Sequence, residues 1–199
     1  AFSILAVTMT CAGFIAQGFL FAIPKIFSEG VTFLSSDGVA GLGTVVTVAL
    51  LIGACGQLLG GYLADRFSIK TVYLVMYVLM VPVAVVTGHA VDAPLVAAGA
   101  LLQLVLASSL PAENCLVARF CPAAWHARAY GVKFVLALGV ASLAVPLTGL
   151  IRDQTGSFMV FFVAIAGFAA VIAAFAIFLP STGSAASRGS PSPVAGAAE

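Results

Sequence analysis

Six long stretches of the sequence carry almost no charged side chains, and this feature limits the possible folds more than any other. Each stretch is about as long as the 20 or so helical residues that cross a hydrocarbon core roughly 30 Å thick. The acidic or basic side chains within them are His89, at the end of the third stretch, and Glu113, in the fourth. The predicted spans are residues 1–24, 39–64, 71–90, 95–118, 134–151 and 158–180.

The overall composition excludes a water-soluble enzyme. Hydrophobic residues make up 62% of the 199 residues and charged residues 8%, whereas soluble domains carry about 25% charged residues. The net charge of +1 gives no basic field for nucleic acid, so we expect no such partner. Because the four cysteines (Cys11, Cys55, Cys115 and Cys121) form no CxxC pair, we expect no disulfide framework, metal site or cofactor.

The spans are predicted to be helices that form one bundle. They lack the strict alternation of membrane β-barrel strands, and a helix satisfies its own backbone hydrogen bonds in lipid. The sequence therefore predicts an all-α integral membrane protein whose bundle covers residues 1–180. The segment 181–199 is rich in Ser, Gly, Pro and Ala, and such a composition predicts a disordered tail.

The beginning of the chain does not resemble a signal peptide. It has no positively charged n-region, and its apolar stretch is longer than the hydrophobic core of a signal. Residue 1 is Ala and not Met. We therefore expect the chain to be processed or cut from a longer protein.

The positions of Lys and Arg predict the orientation in the membrane. Short cytoplasmic loops carry an excess of both residue types. The loops after the second and fourth spans, together with the tail, hold six of them, and the opposite side holds Lys25 and Arg152. Both chain ends are therefore predicted to be cytoplasmic. The six are Arg66, Lys70, Arg119, Arg128, Lys133 and Arg188.

A repeated pattern divides the six spans into two blocks of three. The second span ends in Gly61-Tyr-Leu-Ala-Asp65, and the fifth ends in Gly149-Leu-Ile-Arg-Asp153. The spacing between these two motifs is nearly that between Pro24 and Pro111. Because three is an odd number, the second block (about 91–180) enters the membrane inverted relative to the first (about 1–90), as in many secondary transporters. A chance recurrence of the motif is the alternative.

Polar side chains are concentrated in the first, second, fourth and fifth spans. The third span has no Gln, Asn, Ser, Asp or Glu, and the sixth has no polar side chain. Because polar groups in a membrane face protein or a cavity, we expect the third and sixth spans to face lipid and the other four to form an interior. The candidate cavity residues are Gln17, Gln57, Gln103, Ser108 and Ser142; hydrogen bonding between helices is an equally open role for each Gln.

Other residues in the spans are predicted to have structural roles. Gly56 and Gly60 have the spacing at which small residues let two helices approach closely. Pro82, Pro111 and Pro146 are predicted to kink their helices or to mark flexible points.

The loop between the second and third spans carries a family motif. Gly60-Gly61-Tyr-Leu-Ala-Asp65-Arg66-Phe-Ser68-Ile69-Lys70 resembles the Gly-x-x-x-Asp-Arg-x-Gly-Arg-Lys loop of the major facilitator superfamily. Gly61, Asp65, Arg66 and Lys70 match, whereas Ser68 and Ile69 depart from the motif. The resemblance extends over residues 1 to about 180 and implies the C-terminal six-helix half of a twelve-helix transporter, whose N-terminal half is missing here. The last three spans look most like those of drug or small organic solute exporters.

The motif also predicts a conformational lock at the cytoplasmic side. Asp65 can accept hydrogen bonds from the first amides of a facing helix, where the helix dipole favours an anion. Arg66 and Lys70 can pair with a carboxylate, for which Glu113 is the candidate. Relatives that transport sugars pair a Glu at this place with the loop arginines. The predicted lock residues are Gly61, Asp65, Arg66, Lys70, Glu113 and Arg119; the alternative is that these charges only set the topology.

The leading functional hypothesis is a secondary transporter that moves a small organic solute or drug by alternating access. The alternative is a six-span channel or scaffold that acts as a homo-oligomer. An intramembrane protease is disfavoured, because the sequence has no Gly-x-Ser-x-Gly motif, no HExxH motif and no pair of intramembrane aspartates. The richness in Ala and Gly suggests the inner membrane of a bacterium.

Overall fold

A computed structural model of the protein describes residues 2–32, 34–120 and 125–178, and the regular secondary structure in these residues is helical. Five helices contain a stretch that is long and apolar enough to cross a membrane, namely α1, α2, α3, α4 and α6. The fifth predicted span lies within α5, several of whose side chains are outside the described part. The helices are α1 (Phe2–Gly30), α2 (Leu34–Arg66), α3 (Ile69–His89), α4 (Asp92–Phe120), α5 (His126–Thr155) and α6 (Met159–Ile177).

The first helix is longer than the sequence predicts. Its predicted end at Pro24 is wrong, because α1 continues to Gly30 with Pro24 inside it. Proline removes one backbone donor from a helix, but Ile26 and Phe27 just beyond it are fully buried in the core. Proline is tolerated within membrane helices where neighbouring helices pack around it, and tight packing of these two side chains accompanies the continuation of α1 beyond Pro24.

The helices pack in pairs that are distant in the chain. The most extensive contact joins α2 to α4, followed by those of α3 with α6 and with α4, and of α1 with α5. The buried side chains of α3 and α6 are aromatic and aliphatic. They include Tyr73, Tyr77 and Met80 of α3 and Phe161 and Ile165 of α6.

Glycines bring α2 directly against the backbone of α4. A Cβ atom added to Gly60 would lie 2.8 Å from Ser108 Cα, and one added to Gly56 would lie 3.1 Å from Leu104 Cα. The Ser108 hydroxyl lies 2.8 Å from both Gly56 O and Leu104 O, so its hydrogen is shared between the two helices. The predicted packing role of Gly56 and Gly60 is thus confirmed.

Contacts between helix ends show which ends of the helices lie on the same side of the bundle. Lys70 Nζ, at the start of α3, donates to Ile177 O at the end of α6, 2.7 Å away. Arg152, near the end of α5, forms a 2.6 Å ion pair with Glu29, near the end of α1. We call the end of the bundle where α2, α4 and α6 finish the inner end, after the predicted orientation, and the opposite end the outer end.

The substitution Gly60→Ala is expected to destabilise the protein by about 1–3 kcal/mol, because the added methyl group overlaps the α4 backbone and forces the two helices apart. Thermal unfolding of the purified protein in detergent measures the effect. Gly43→Ala is the matched control on the same helix, since a Cβ atom there meets nothing within 4 Å. Equal melting temperatures for the two variants would contradict the close packing.

Candidate functional site

Three glutamines that are far apart in the sequence line one cavity between α1, α2 and α4. Gln17 of α1, Gln57 of α2 and Gln103 of α4 surround a space of about 260 Å³, which we call the central cavity. The rest of its wall is apolar and includes Leu50 and Leu106. The Gln103 amide oxygen is buried without a hydrogen-bond partner among the described residues.

A second cavity adjoins the first on the side of the inner end. This inner cavity has a volume of about 270 Å³ and shares Gln17 and Gln57 with the central one. Its remaining polar wall comes from Glu113, Asn114 and Lys133. The two cavities therefore form one polar path between α1, α2, α4 and α5. The described lining residues of both include none from α3 or α6, in keeping with the expectation that these two helices face lipid.

An ion pair joins α4 to α5 in the wall of the inner cavity. Lys133 Nζ lies 2.8 Å from Glu113 Oε1, and the side chains are 12% and 1% exposed. Lys133 also donates to Asn114 Oδ1 at 2.6 Å, and the Tyr130 hydroxyl donates to Asn114 O at 2.9 Å. The second carboxylate oxygen, Glu113 Oε2, is completely buried, and the Tyr77 hydroxyl of α3 is a further hydrogen-bond neighbour of this carboxylate. Removal of only one partner of such a buried pair strongly destabilises the protein, because the other charge is then buried without a partner.

The expected pairing of Glu113 with Arg66 or Lys70 is not the one found in the structure. Lys70 reaches a backbone carbonyl at the end of α6, where helices leave carbonyls without an intrahelical partner. Arg66 lies over the ring of Tyr62, 4.9 Å from its centroid. Glu113 instead turns toward α5 and takes Lys133 as its partner.

The remaining residues of the predicted lock lie at the inner end of the bundle. Asp65 and Arg66 are exposed at the end of α2, and Arg119 is exposed in the last turn of α4. Gly61 has nothing within 4 Å of the position of a Cβ atom. Arg66 and Arg119 each complement the negative end of a helix dipole.

One of the predicted cavity residues packs between helices, and another lies outside the described side chains. The Ser108 hydroxyl is buried between α2 and α4, and its hydrogen bonds to Gly56 and Leu104 make it a packing residue. Ser142 lies in α5, and its side chain is outside the described part of the structure.

Three residues that line the inner cavity were not predicted from the sequence. Lys133 was counted only for orientation, while Asn114 and Phe134 were not assigned to the cavity, although all three line it. One signal was present. Lys133 lies one position before the fifth predicted span, and a long cationic side chain at such a place can reach inward to a carboxylate on a neighbouring helix.

Comparison with protein families agrees with this arrangement. The family model of the Major Facilitator Superfamily matches residues 5–199 of the chain. The chain belongs to this family. Since the family consists of transporters, the chain is a Major Facilitator Superfamily transporter and an integral membrane protein. A search of curated proteins gave no match.

Proposed function

We propose that the chain is the C-terminal six-helix half of a secondary transporter that moves a small organic solute or drug by alternating access. The observation that carries the proposal is the meeting of Gln17, Gln57 and Gln103 in one cavity. Amide side chains in an otherwise apolar membrane cavity suit a polar or partly polar solute. Under this proposal the chain has two kinds of partner, a small-molecule substrate and the lipid bilayer.

The pattern of helix contacts supports the inverted repeat of blocks 1–90 and 91–180. Exchange of α1 with α4, α2 with α5 and α3 with α6 converts the α2–α4 contact into the α1–α5 contact. The same exchange converts α3–α4 into α1–α6, α1–α2 into α4–α5, and α2–α3 into α5–α6, all of which are contacts of the structure. A pseudo-two-fold axis in the membrane plane would give this pattern.

Exposed apolar side chains support a missing half on the side of α2 and α5. Both helices present large apolar residues that the described part of the chain leaves exposed. A second six-helix half could lie against these helices and close the polar path between them. The most exposed of these residues are Leu51 and Leu58 of α2 and Val135 and Leu143 of α5.

The lock remains part of the proposal, with the loop residues as its basis. Gly61, Asp65, Arg66 and Arg119 would hold the inner side closed against the other half and release it as the halves rock. Glu113 is bound to Lys133 and Lys70 is bound to the end of α6, so neither belongs to the proposed lock. The orientation with both chain ends in the cytoplasm, in the inner membrane of a bacterium, completes the proposal.

A channel or scaffold built from several copies is the second candidate. The exposed apolar faces of α2 and α5 could pack against a second copy as well as against a different half. The two candidates differ in how water reaches the cavity, because a transporter opens to one side at a time and a channel opens to both sides together.

In the complete protein with its native cysteines replaced, Gln57→Cys is expected to react with a membrane-impermeant maleimide, because position 57 lines both cavities. Leu58→Cys is the matched control, since Leu58 is 77% exposed on the outside of the bundle and is predicted to face lipid or the other half. Labelling in sealed vesicles of both orientations measures access from each side. Equal reaction at the two positions would contradict a water-filled cavity at Gln57.

Addition of Asp65→Asn to Gln57→Cys is expected to change labelling from the two sides in opposite directions and to slow transport while membrane insertion survives. Loss of the lock favours the inward-open state, which raises access from the inner side and lowers it from the outer side. Asp153→Asn, at the end of α5, is the control. Changes in the same direction on both sides would favour the channel. Wild-type labelling and wild-type transport would show that Asp65 is not part of a lock.

A further inference from the structure

We infer that Gly53 determines the size of the solute that the central cavity accepts, because it gives the Gln103 side chain a place to lie against the backbone of α2. This inference deepens the proposed function, on which it rests, by assigning the control of solute size to one position of α2. Gly53 acts through Gln103, so it is a positioning residue.

The Gln103 side chain lies directly on Gly53, where a side chain of α2 would have no room. A Cβ atom added to Gly53 would lie 2.7 Å from Gln103 Cγ, 3.2 Å from Nε2 and 3.4 Å from Cδ. Carbon atoms pack best at about 3.5–4.0 Å. Any larger residue at position 53 must therefore displace either the Gln103 side chain or the helix that carries it.

Gly53 differs from the other two glycines in the contact between α2 and α4. Gly56 and Gly60 face backbone atoms of α4, whereas Gly53 faces a side chain. A side chain can turn to another staggered rotamer, but a backbone can give way only if the two helices separate. We therefore expect a methyl group at position 53 to move Gln103, and one at position 60 to move the helix.

The free space beside Gln103 is the central cavity. Gln103 and Gly53 both line this space of about 260 Å³, together with Leu50 and Ala54 of α2. Along α4 the neighbouring Leu102 is fully buried, and a close-packed interior admits no further side chain. A Gln103 side chain that is displaced from Gly53 is therefore expected to turn into the central cavity and to narrow it.

The amide oxygen of Gln103 forms no hydrogen bond that would hold the side chain against α2. Gln103 Oε1 is completely buried and has no hydrogen-bond partner in the described part of the chain. A buried acceptor without a partner is unfavourable, so this oxygen does not favour the observed position. The position of Gln103 therefore depends on the room that Gly53 leaves for it.

The test measures how fast reagents of two sizes reach Leu50→Cys, which is one helical turn from Gly53 and lines the central cavity. The complete purified protein, with its native cysteines replaced, is labelled in detergent with N-methylmaleimide and with N-phenylmaleimide. We expect Gly53→Ala to slow the phenyl reagent at least tenfold relative to the methyl reagent, because the displaced amide occupies the space that the ring needs. Gly43→Ala is the control on the same helix, since a Cβ atom there meets nothing within 4 Å.

A second variant separates displacement of Gln103 from a change in helix packing. Gln103→Ala removes the side chain that the added methyl group would push into the cavity. Gly53→Ala combined with Gln103→Ala is therefore expected to have the same ratio of the two rates as Gln103→Ala alone. The inference is overturned if the phenyl reagent stays slow in this double variant, or if Gly53→Ala alone leaves the ratio unchanged.

The melting temperature gives an independent check of which group moves. Gly53→Ala is expected to lower the melting temperature in detergent less than Gly60→Ala, because rotation of a side chain costs less than separation of two helices. An equal or larger loss for Gly53→Ala would show that α2 moves and not Gln103, which would overturn the inference.

Failure of this inference and failure of the proposed function give different results. If Gln57→Cys is labelled and responds to Asp65→Asn in opposite directions on the two sides, the transporter stands. If Leu50→Cys in that same protein then reacts with neither reagent, or with the methyl reagent alone, Gly53 does not keep the central cavity open to a ring and the inference is wrong. If Gln57→Cys is not labelled at all, the polar path itself is absent and both ideas fail.

Discussion

The hydrocarbon core of a membrane offers no hydrogen bonds, and the arrangement of this chain follows from that constraint. Polar side chains in such surroundings must find protein partners or line a space that holds water or solute. Both cases occur in this protein. Ser108 is satisfied between α2 and α4, whereas Gln17, Gln57 and Gln103 gather around a cavity. The helices without Gln, Asn, Ser, Asp or Glu, α3 and α6, pack against each other and contribute no described residue to that cavity.

The same constraint explains why two helices approach so closely. Lipid supplies little hydrophobic drive for one helix to leave it for another, so contact depends on tight packing. Gly56 and Gly60 provide this by placing α2 on the backbone of α4. The close contact brings Gln57 and Gln103 to the central cavity, which Gln17 also lines. The opposite, apolar face of α2 stays uncovered, which is why we propose a second half on that side.

Much of this arrangement could be predicted from the sequence, because it depends on polarity along single helices. The three glutamines stand out in apolar stretches, and the glycine spacing on α2 is visible without a partner. The ion pair could not be predicted, since Glu113 and Lys133 lie on different helices and several cations were equally available to Glu113. Lys70 does not pair with Glu113, because it donates a hydrogen bond to the Ile177 carbonyl at the end of α6, which is distant in the sequence. The end of α1 was misplaced because the helix continues beyond Pro24, where Ile26 and Phe27 pack in the core.

The mass of the native polypeptide tests the central claim, that this bundle is one wall of a cavity completed by a second half of the same chain. An antibody raised against the segment around Arg188 would be used on an immunoblot of native membranes. If the chain is half of a longer transporter, we expect a band near twice the 20.1 kDa of the 199 residues. A band at 20.1 kDa itself would contradict it, because the wall opposite Gln17, Gln57 and Gln103 would then have to come from another chain.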